Sequence, residues 1–556
     1  MQESSKTNPR ANWSAYPRPQ LVREDWLCLN GSWELLQGKN RSQIQVPFCP
    51  ESERSGVRFR VAYGPALIYR RSFSLPEAWQ GRRVLLHFGA VNQRAEILFN
   101  GRLLCTHDNG YLPFTVDLTG ALQPGENQLE VCACNDLSHD HPWGKQKKHP
   151  GGMWYTPCSG IWQTVWLEAV PEQYIRALTI ETGLDWVELH TQGAEQGTIT
   201  LLGRDYPLEN GSARIRIQDP LLWTPEQPNL YPFTLTCGAD RVHSYFALRT
   251  LSVQEVGGIQ RLCLNGKPYF FHGLLDQGYW AGGLYTPDSP ADFERDILAM
   301  KELGFNTLRK HIKVEPEQFY YACDRLGMVV FQDMVNCGRY SFLRDTALPT
   351  LGVQKLNDRQ INRRSTARQS FLAAMEGTVR TLRNHPCICL WTIFNEGWGQ
   401  FCADEAYDVL RALDKSRFID ATSGWFHQTK SDVDSLHIYF KPLRLGKEQK
   451  PQLLSEFGGY VWKVPGHSPK KTYGYRILQS RESLVHALRT LYEKEVLPLA
   501  EWGLCGAIYT QVSDVQDETN GILTFDRAVQ KIRPEEFADF GRRLQAAIEK
   551  RSEEQV

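Results

Sequence analysis

Hydrophobic and polar positions keep two different rhythms along this chain of 556 residues. Between about Trp26 and Val170, runs such as GSWELL, RRVLLHFGAV, RAEILFNGRLL and NQLEVCACN alternate apolar with polar residues and are cut by turn signals, Asn100-Gly101 among them. A period of two marks half-buried strands, and Asn-Gly between two such runs marks a hairpin, so the stretch predicts an antiparallel sandwich. From about Tyr174 to Thr250 a second β-rich region follows, with alternation in ARIRIQ and YPFTLTCG. After Val256 the rhythm changes to apolar runs separated by helical spacing. Ser289 reads as an N-cap with Pro290 at the first helical position; Phe293, Ile297, Met300 and Leu303 share one face, and Gly304 ends the helix. A second helix runs from about Pro316 to Leu326 and stops at Gly327. Strands are expected at Tyr269 to Gly273, Asn306 to Lys310, Met328 to Asp333, from Cys387, at Phe418 to Thr422, Ser435 to Tyr439, Leu453 to Glu456 and Gly506 to Gln511. Eight strands alternating with helices or long connections predict a (β/α)8 barrel, whose strands are covered on both faces. The expected division is 1–171, 172–255 and 256–556.

A chain this long exceeds one hydrophobic core. Lys plus Arg and Asp plus Glu both count 63, so no global charge points to nucleic acid or to an acidic membrane. The opening MQESSKTNPRANWSAYPRPQ has no apolar core of a signal peptide, and no apolar run approaches the roughly eighteen residues of a membrane span. A soluble, cytoplasmic protein is expected. Several of the 14 cysteines lie in apolar strand-like runs, among them Cys132, Cys134, Cys387 and Cys389. They read as reduced core thiols, the first two on opposite strand faces. With no paired CxxC units, no structural zinc is expected.

The chemistry is concentrated at two strand ends. In NHPCICLWTIFNEGWGQ, residues 384–400, an apolar run stops at Asn395 and Glu396 before Gly397, Trp398 and Gly399. In PQLLSEFGGY, residues 451–460, a short apolar strand ends in Glu456 before glycines. Two carboxyl groups at strand ends facing one pocket are a candidate pair for glycosidic bond cleavage. The pattern of strand–Asn–Glu, then strand–Glu–Phe–Gly, resembles glycoside hydrolase family 2. GFNTLRKHIKVEPEQFYYACDRLGMVVFQDM (304–334), GAIYTQVSDVQDETNGILTFDR (506–527) and CSGIWQTVWLE (158–168) resemble the same family.

The resemblance implies a multidomain β plus α/β protein: an N-terminal jelly-roll sugar-binding domain, an immunoglobulin-like β-sandwich and a C-terminal catalytic TIM barrel. It implies a retaining exo-β-glycosidase with no cofactor, Glu396 as acid/base and Glu456 as nucleophile. Asn395 matches the residue that binds the sugar 2-hydroxyl. Arg309 and His311 match positions that brace the nucleophile and touch the sugar. His437 and Tyr439 match a strand-six pattern, Tyr439 bonding to the nucleophile, and Trp502 matches an aromatic platform beneath the sugar. Asp333 ends a strand and either accepts sugar hydroxyls or caps a helix; Trp398 either borders the aglycone or lids the core.

The sugar is less defined. Glucuronidases of the family carry an Asn-x-Lys element near the last strand, and DETNGILTFDR has Asn520-Gly521 and no lysine. Arg339, in the loop NCGRY, is either a clamp for a carboxylate or a solvated cation. The expectation is a galacto-configured terminal sugar, a β-galactoside or β-galacturonide, with a β-glucuronidase, another β-hexuronidase or a β-mannosidase as alternatives. The polar loop NDLSHDHPWGKQKKHPGG, residues 135–152, is either disordered surface or leans over the barrel mouth. The chain stops about thirty residues after the last strand, which leaves the extra domains and magnesium of the family's large β-galactosidases in doubt. Family members often assemble, so a homo-oligomer is possible. Two other classes stay open. One is a catalytically silent carbohydrate-binding scaffold. The other is a metal-dependent hydrolase through His311, Asp333 and His437, although no His-Glu-x-x-His element occurs.

Overall fold

A computed structural model describes residues 13–353, 356–446 and 449–553. Trp26 to Val170 form two antiparallel sheets face to face, one of six strands and one of four. Alternation is visible directly in Glu126–Cys134, where every second side chain is buried. Trp33, Tyr69, Leu86, Phe88, Ile97 and Leu129 meet between the sheets. Cys132 and Cys134 lie half-buried on one strand face, as residues two apart must, rather than on opposite faces. All fourteen cysteines are free thiols. A second, smaller sandwich of three and four antiparallel strands spans Ala177 to Phe246 around Val187, Leu189, Ile199 and Leu235.

The rest is a parallel barrel of eight strands: β1 Phe271–Asp276, β2 Thr307–Lys310, β3 Val329–Asp333, β4 Ile388–Asn395, β5 Phe418–Ser423, β6 Asp434–Ile438, β7 Gln452–Gly458 and β8 Leu504–Thr510. Their order in the sheet is 5-4-3-2-1-8-7-6. Closure between β5 and β6 runs through side chains: Ser435 donates to Asp420 at 2.9 Å, and Ser423 Oγ lies 3.1 Å from His437 Nε2. The first helices match the sequence pattern. α1, Pro290–Glu302, opens with the Asp292 carboxylate accepting the Ser289 N–H at 2.8 Å, and α2, Glu317–Leu326, ends at Gly327 in the left-handed region. α3, Ser365–Leu382, and α4, Ala403–Leu413, flank β4. Beyond it the alternation thins, because among the described residues no helix separates β5 from β6 or β6 from β7. α5, Arg481–Leu491, passes through a π turn into α6, Leu497–Trp502, and then into β8.

The sandwiches hold the barrel at both ends. At the entrance to β4, Asn384 bonds Ile180 N and Leu178 O, and Arg249 donates to the carbonyls of Pro386 and Ile388 at 2.7 Å. Trp223, fully buried, donates to the carbonyl of Asp324 in α2. At the other end, Tyr155 of the first sandwich donates to Glu518 in the segment following β8. The loop 135–152 is ordered against the barrel mouth: Trp143 donates through its backbone and indole N–H to the carbonyls of Asn336 and Gly338. No helix among the described residues is long and apolar enough to cross a membrane.

Candidate active site

β4 is buried at every position, and its last residue, Asn395, is followed by Glu396 with φ +51°. A left-handed non-glycine residue costs energy and is retained where the surroundings impose it. Here Glu396 N–H donates to Ser423 O, and Trp398 N–H to Asn395 O. The two glycines alongside are required by space. A Cβ on Gly397 would lie 2.3 Å from the Phe426 ring, and one on Gly399 would lie 1.8 Å from the Cys337 carbonyl oxygen. On the opposite side, register shifts in β6 between Leu436 and His437 and against β8 between Leu454 and Phe457 re-aim the end of β7. They leave His437 and Glu456 paired. One carboxylate oxygen of each glutamate and a ring nitrogen of His437 lie within 4.8 Å of one another.

Arg309, at the end of β2 and fully buried, ties the pocket floor together. Its Nε donates to Asp333 at 2.9 Å, one terminal nitrogen to Asn395 Oδ1 at 2.8 Å, and the other to Ser455 O at 3.0 Å and Glu456 Oε1 at 3.3 Å. His311 Nδ1 takes the second Asp333 oxygen at 2.7 Å. Both Asp333 oxygens are thus engaged by protein, so Asp333 braces Arg309 and His311 rather than capping a helix. Tyr439 donates to Glu456 Oε2 at 2.5 Å, and His437 Nδ1 lies 2.9 Å from Glu396 Oε1.

These neighbours push the two carboxyl groups apart. Burial, with the negative charge of Glu456, raises the proton affinity of Glu396 above the usual range, against the pull of His437. Burial also raises Glu456, but positive groups around it, including Arg309, outweigh that and hold it at about 2. His311 is itself depressed to about 4 by burial and by Lys145, so near neutral pH it adds little positive charge beside the Arg309 guanidinium. That setting is a poor one for a divalent cation at Glu396, His437 and Glu456, the one such grouping among the described residues. Asp333 is held by Arg309 and His311 rather than grouped with His437.

Buried donors without acceptors among the described residues sit beside the pair: Asn395 Nδ2 and the indole N–H groups of Trp398 and Trp425. Trp398 is covered by Trp154 at 5.3 Å and Tyr340 at 5.6 Å between ring centroids. Trp502 requires a correction. It ends α6, two residues before β8 begins, at the opposite end of the barrel from the carboxylates, and is 64% exposed. It is no platform beneath a sugar. Arg339 is exposed beside Gly338, whose N–H donates to His139 O. Sequence reading passed over Lys145 and the tyrosines Tyr473 and Tyr475, the latter stacked on Tyr439 at 3.7 Å. Their run KTYGY lies in a connection with no helical or strand period to flag it.

Three family models match the chain: "Glycosyl hydrolases family 2, TIM barrel domain" over residues 255–531, "Glycosyl hydrolase 2 galactose-binding domain-like" over 40–197 and "Glycosyl hydrolases family 2" over 174–249. A β-glucuronidase of Felis catus is 25% identical over 59% of this chain and 54% of its own length. A β-galactosidase of Priestia megaterium is 22% identical over 79% of this chain and 45% of its own. The chain therefore spans about half the length of the curated relatives it matches. Among solved structures, a β-D-glucuronidase of Dictyoglomus thermophilum superposes with a TM-score of 0.76 at 18% identity, covering 95% of this chain and 98% of that one. A β-galacturonidase of Eisenbergiella tayi bound to galacturonate superposes with a TM-score of 0.70 at 21% identity, covering 95% and 99%.

Proposed function

This chain belongs to glycoside hydrolase family 2, and from that premise we propose that it is a retaining exo-β-glycosidase acting through Glu396 and Glu456. The observation that carries the reading is the pair itself: two carboxyl groups with oxygens within 4.8 Å, one with raised and one with depressed proton affinity. A separation near 5 Å suits direct attack rather than an intervening water. In the first step Glu456 attacks the anomeric carbon while Glu396 gives its proton to the departing glycosidic oxygen, leaving a glycosyl ester and a free alcohol. In the second, Glu396, now ionised, takes a proton from water as that water attacks the same carbon. Glu456 is released and the β configuration restored. Asn395, fixed through its oxygen by Arg309, keeps an amide N–H free for the sugar 2-hydroxyl. Tyr439 and Arg309 orient Glu456 and keep it ionised. The proposed glycone is galacto-configured, neutral or uronate. β-Glucuronides are the second reading, favoured by the names of several relatives.

The test is a panel of β-linked nitrophenyl glycosides covering galactoside, galacturonide, glucuronide, glucoside, mannoside, fucoside and arabinoside, run on wild type and Glu456→Gln. Loss of a nucleophile removes turnover by roughly four orders of magnitude or more. A folded Glu456→Gln protein that retained a tenth of wild-type activity would overturn the assignment, and a folded wild type silent on every glycoside would favour the binding scaffold.

A further inference from the structure

We propose that Lys145, carried into the barrel mouth by the first sandwich, is the specificity residue of this site and that it pairs with a carboxylate on the terminal sugar, making the substrate a β-hexuronide. The inference rests on the glycosidase reading of Glu396 and Glu456 and deepens it.

The other buried lysines of this protein are each paired with acceptors. Lys310 donates to Asp276 at 2.6 Å and Glu315 at 2.9 Å. Lys313 donates to two carbonyls and to Glu315, and Lys531 to Asp514 and the Thr519 carbonyl. Lys145 is buried as they are, 7% exposed, yet among the described residues no carboxylate or carbonyl accepts a hydrogen bond from it. Its ammonium faces the rings of Trp398 at 5.5 Å and Tyr155 at 5.8 Å. Cation–π contact at that distance compensates little of the cost of removing an ammonium from water. A lysine left without a hydrogen-bonded anion, where the other buried lysines each have one, is a place kept for one.

Its position is fixed rather than fluctuating. The Lys145 carbonyl accepts Tyr155 N–H, and the Gln146 side chain donates to Tyr111 OH at 2.8 Å while accepting Cys158 N–H at 2.7 Å. On the other side Gly144, at φ +67°, passes so close to Tyr111 and Tyr285 that a Cβ would meet their hydroxyls at 2.6 and 3.0 Å. The ammonium faces Trp398, two residues beyond Glu396, and its charge lowers the proton affinity of Glu396, Glu456 and His311. Arg339, the other cation at this mouth, is exposed. Hydroxyl groups have neutral donors waiting in Asn395 and Trp398. A charge is what a lysine adds. With Glu456 and Asp333 ionised against Arg309, an incoming carboxylate meets a negative pocket unless Lys145 is present.

The experiment compares wild type, Lys145→Met, Lys145→Arg and Arg339→Ala on nitrophenyl β-galacturonide, β-glucuronide, β-galactoside and β-glucoside. The expected result is a wild-type preference for a hexuronide, with kcat/KM on it falling about 100-fold or more in Lys145→Met. Activity on the neutral sugar of the same configuration falls at least about tenfold less than activity on the hexuronide. Lys145→Arg retains most of the hexuronide activity, and Arg339→Ala leaves it within a few-fold. Calorimetric titration with free galacturonate, glucuronate and galactose reads the same selectivity without turnover. Equal losses on neutral and anionic substrates would make Lys145 a structural charge and overturn the proposal. Glu456-dependent turnover of neutral glycosides alone, with no uronate binding, would overturn it and leave the glycosidase reading standing. Uronate binding that requires Lys145, without any Glu456-dependent hydrolysis, would do the reverse.

Discussion

Glu396 and Glu456 carry the same functional group in one pocket, and only their neighbours tell them apart. Burial and the facing carboxylate keep the proton on Glu396, while the positive fields of His437, His311 and Arg309 outweigh burial and hold Glu456 at about 2. Activity requires Glu456 ionised and Glu396 protonated, so the pair defines a window: it opens as pH rises past the lower value and closes as Glu396 loses its proton. Removing the guanidinium moves the opening edge. In Arg309→Met, burial acts on Glu456 with less opposition, and the acid limb of kcat/KM is expected to move up by about 1 to 3 pH units. Arg309→Lys keeps the charge and leaves the limb near its wild-type position, though the rate falls with the lost hydrogen bonds to Asp333 and Asn395. An acid limb that stays in place in Arg309→Met while the rate drops would show that Arg309 acts by shape alone.

At the level of elements, the loop that follows β4 shows what fixes the acid in place. Gly399 packs against backbone, not against a side chain that could rotate away, since a Cβ there would lie 1.8 Å from the Cys337 carbonyl oxygen. Gly399→Ala must therefore displace either the 396–399 turn or the loop after β3. A displacement near 1 Å at a reacting group costs about 100-fold in rate. The expected variant keeps its far-ultraviolet circular dichroism and loses about two orders of magnitude in kcat/KM; activity within threefold of wild type would mean that the loop absorbs the methyl elsewhere. The strands that deliver both carboxyl groups were legible because burial on both faces writes an unbroken apolar run, and the run's end marks the mouth of the barrel. Bulges do not write themselves that way. The register shifts beside His437 and Glu456 leave no trace in the local pattern, and neither does the start of β8. The strand expected from Gly506 begins at Leu504, and Trp502 closes the helix before it, so the family match and not the strand boundary put Trp502 beneath the sugar.

Across the whole molecule, the pocket is assembled from segments that sequence periodicity cannot connect. Lys145 and Tyr155 come from the first sandwich, Glu518 from beyond β8, and the contact between Tyr155 and Glu518 joins residues 363 positions apart. The same long-range packing buries imidazoles whose protonation the fold opposes. His272, wedged between the Gly304 carbonyl and Tyr492 OH, is depressed to about 4, as is His311 at the active site, and His87 in the first sandwich is lowered as well. A base whose folded pKa lies below its unfolded value of 6.5 binds its proton more readily when unfolded. Its contribution is complete above about pH 6.5 and declines as pH falls toward 4. For His272 and His311 the loss is of the order of 3 kcal/mol each. Depressed carboxyl groups such as Glu168, Asp414 and Glu456 weaken the fold only at lower pH, below the ordinary carboxylate range. The histidine contribution to acid destabilisation thus begins above about pH 5, opposed over the same range by Glu51 and Asp514, whose carboxyl groups burial raises to about 7 and about 6 so that the folded state binds their protons more readily. Thermal unfolding followed from pH 7.5 to 4.5 should show the midpoint of His272→Gln, whose amide can bond both neighbours without titrating, gaining on that of wild type as pH falls. Parallel curves for the two proteins would assign the acid sensitivity to carboxyl groups instead.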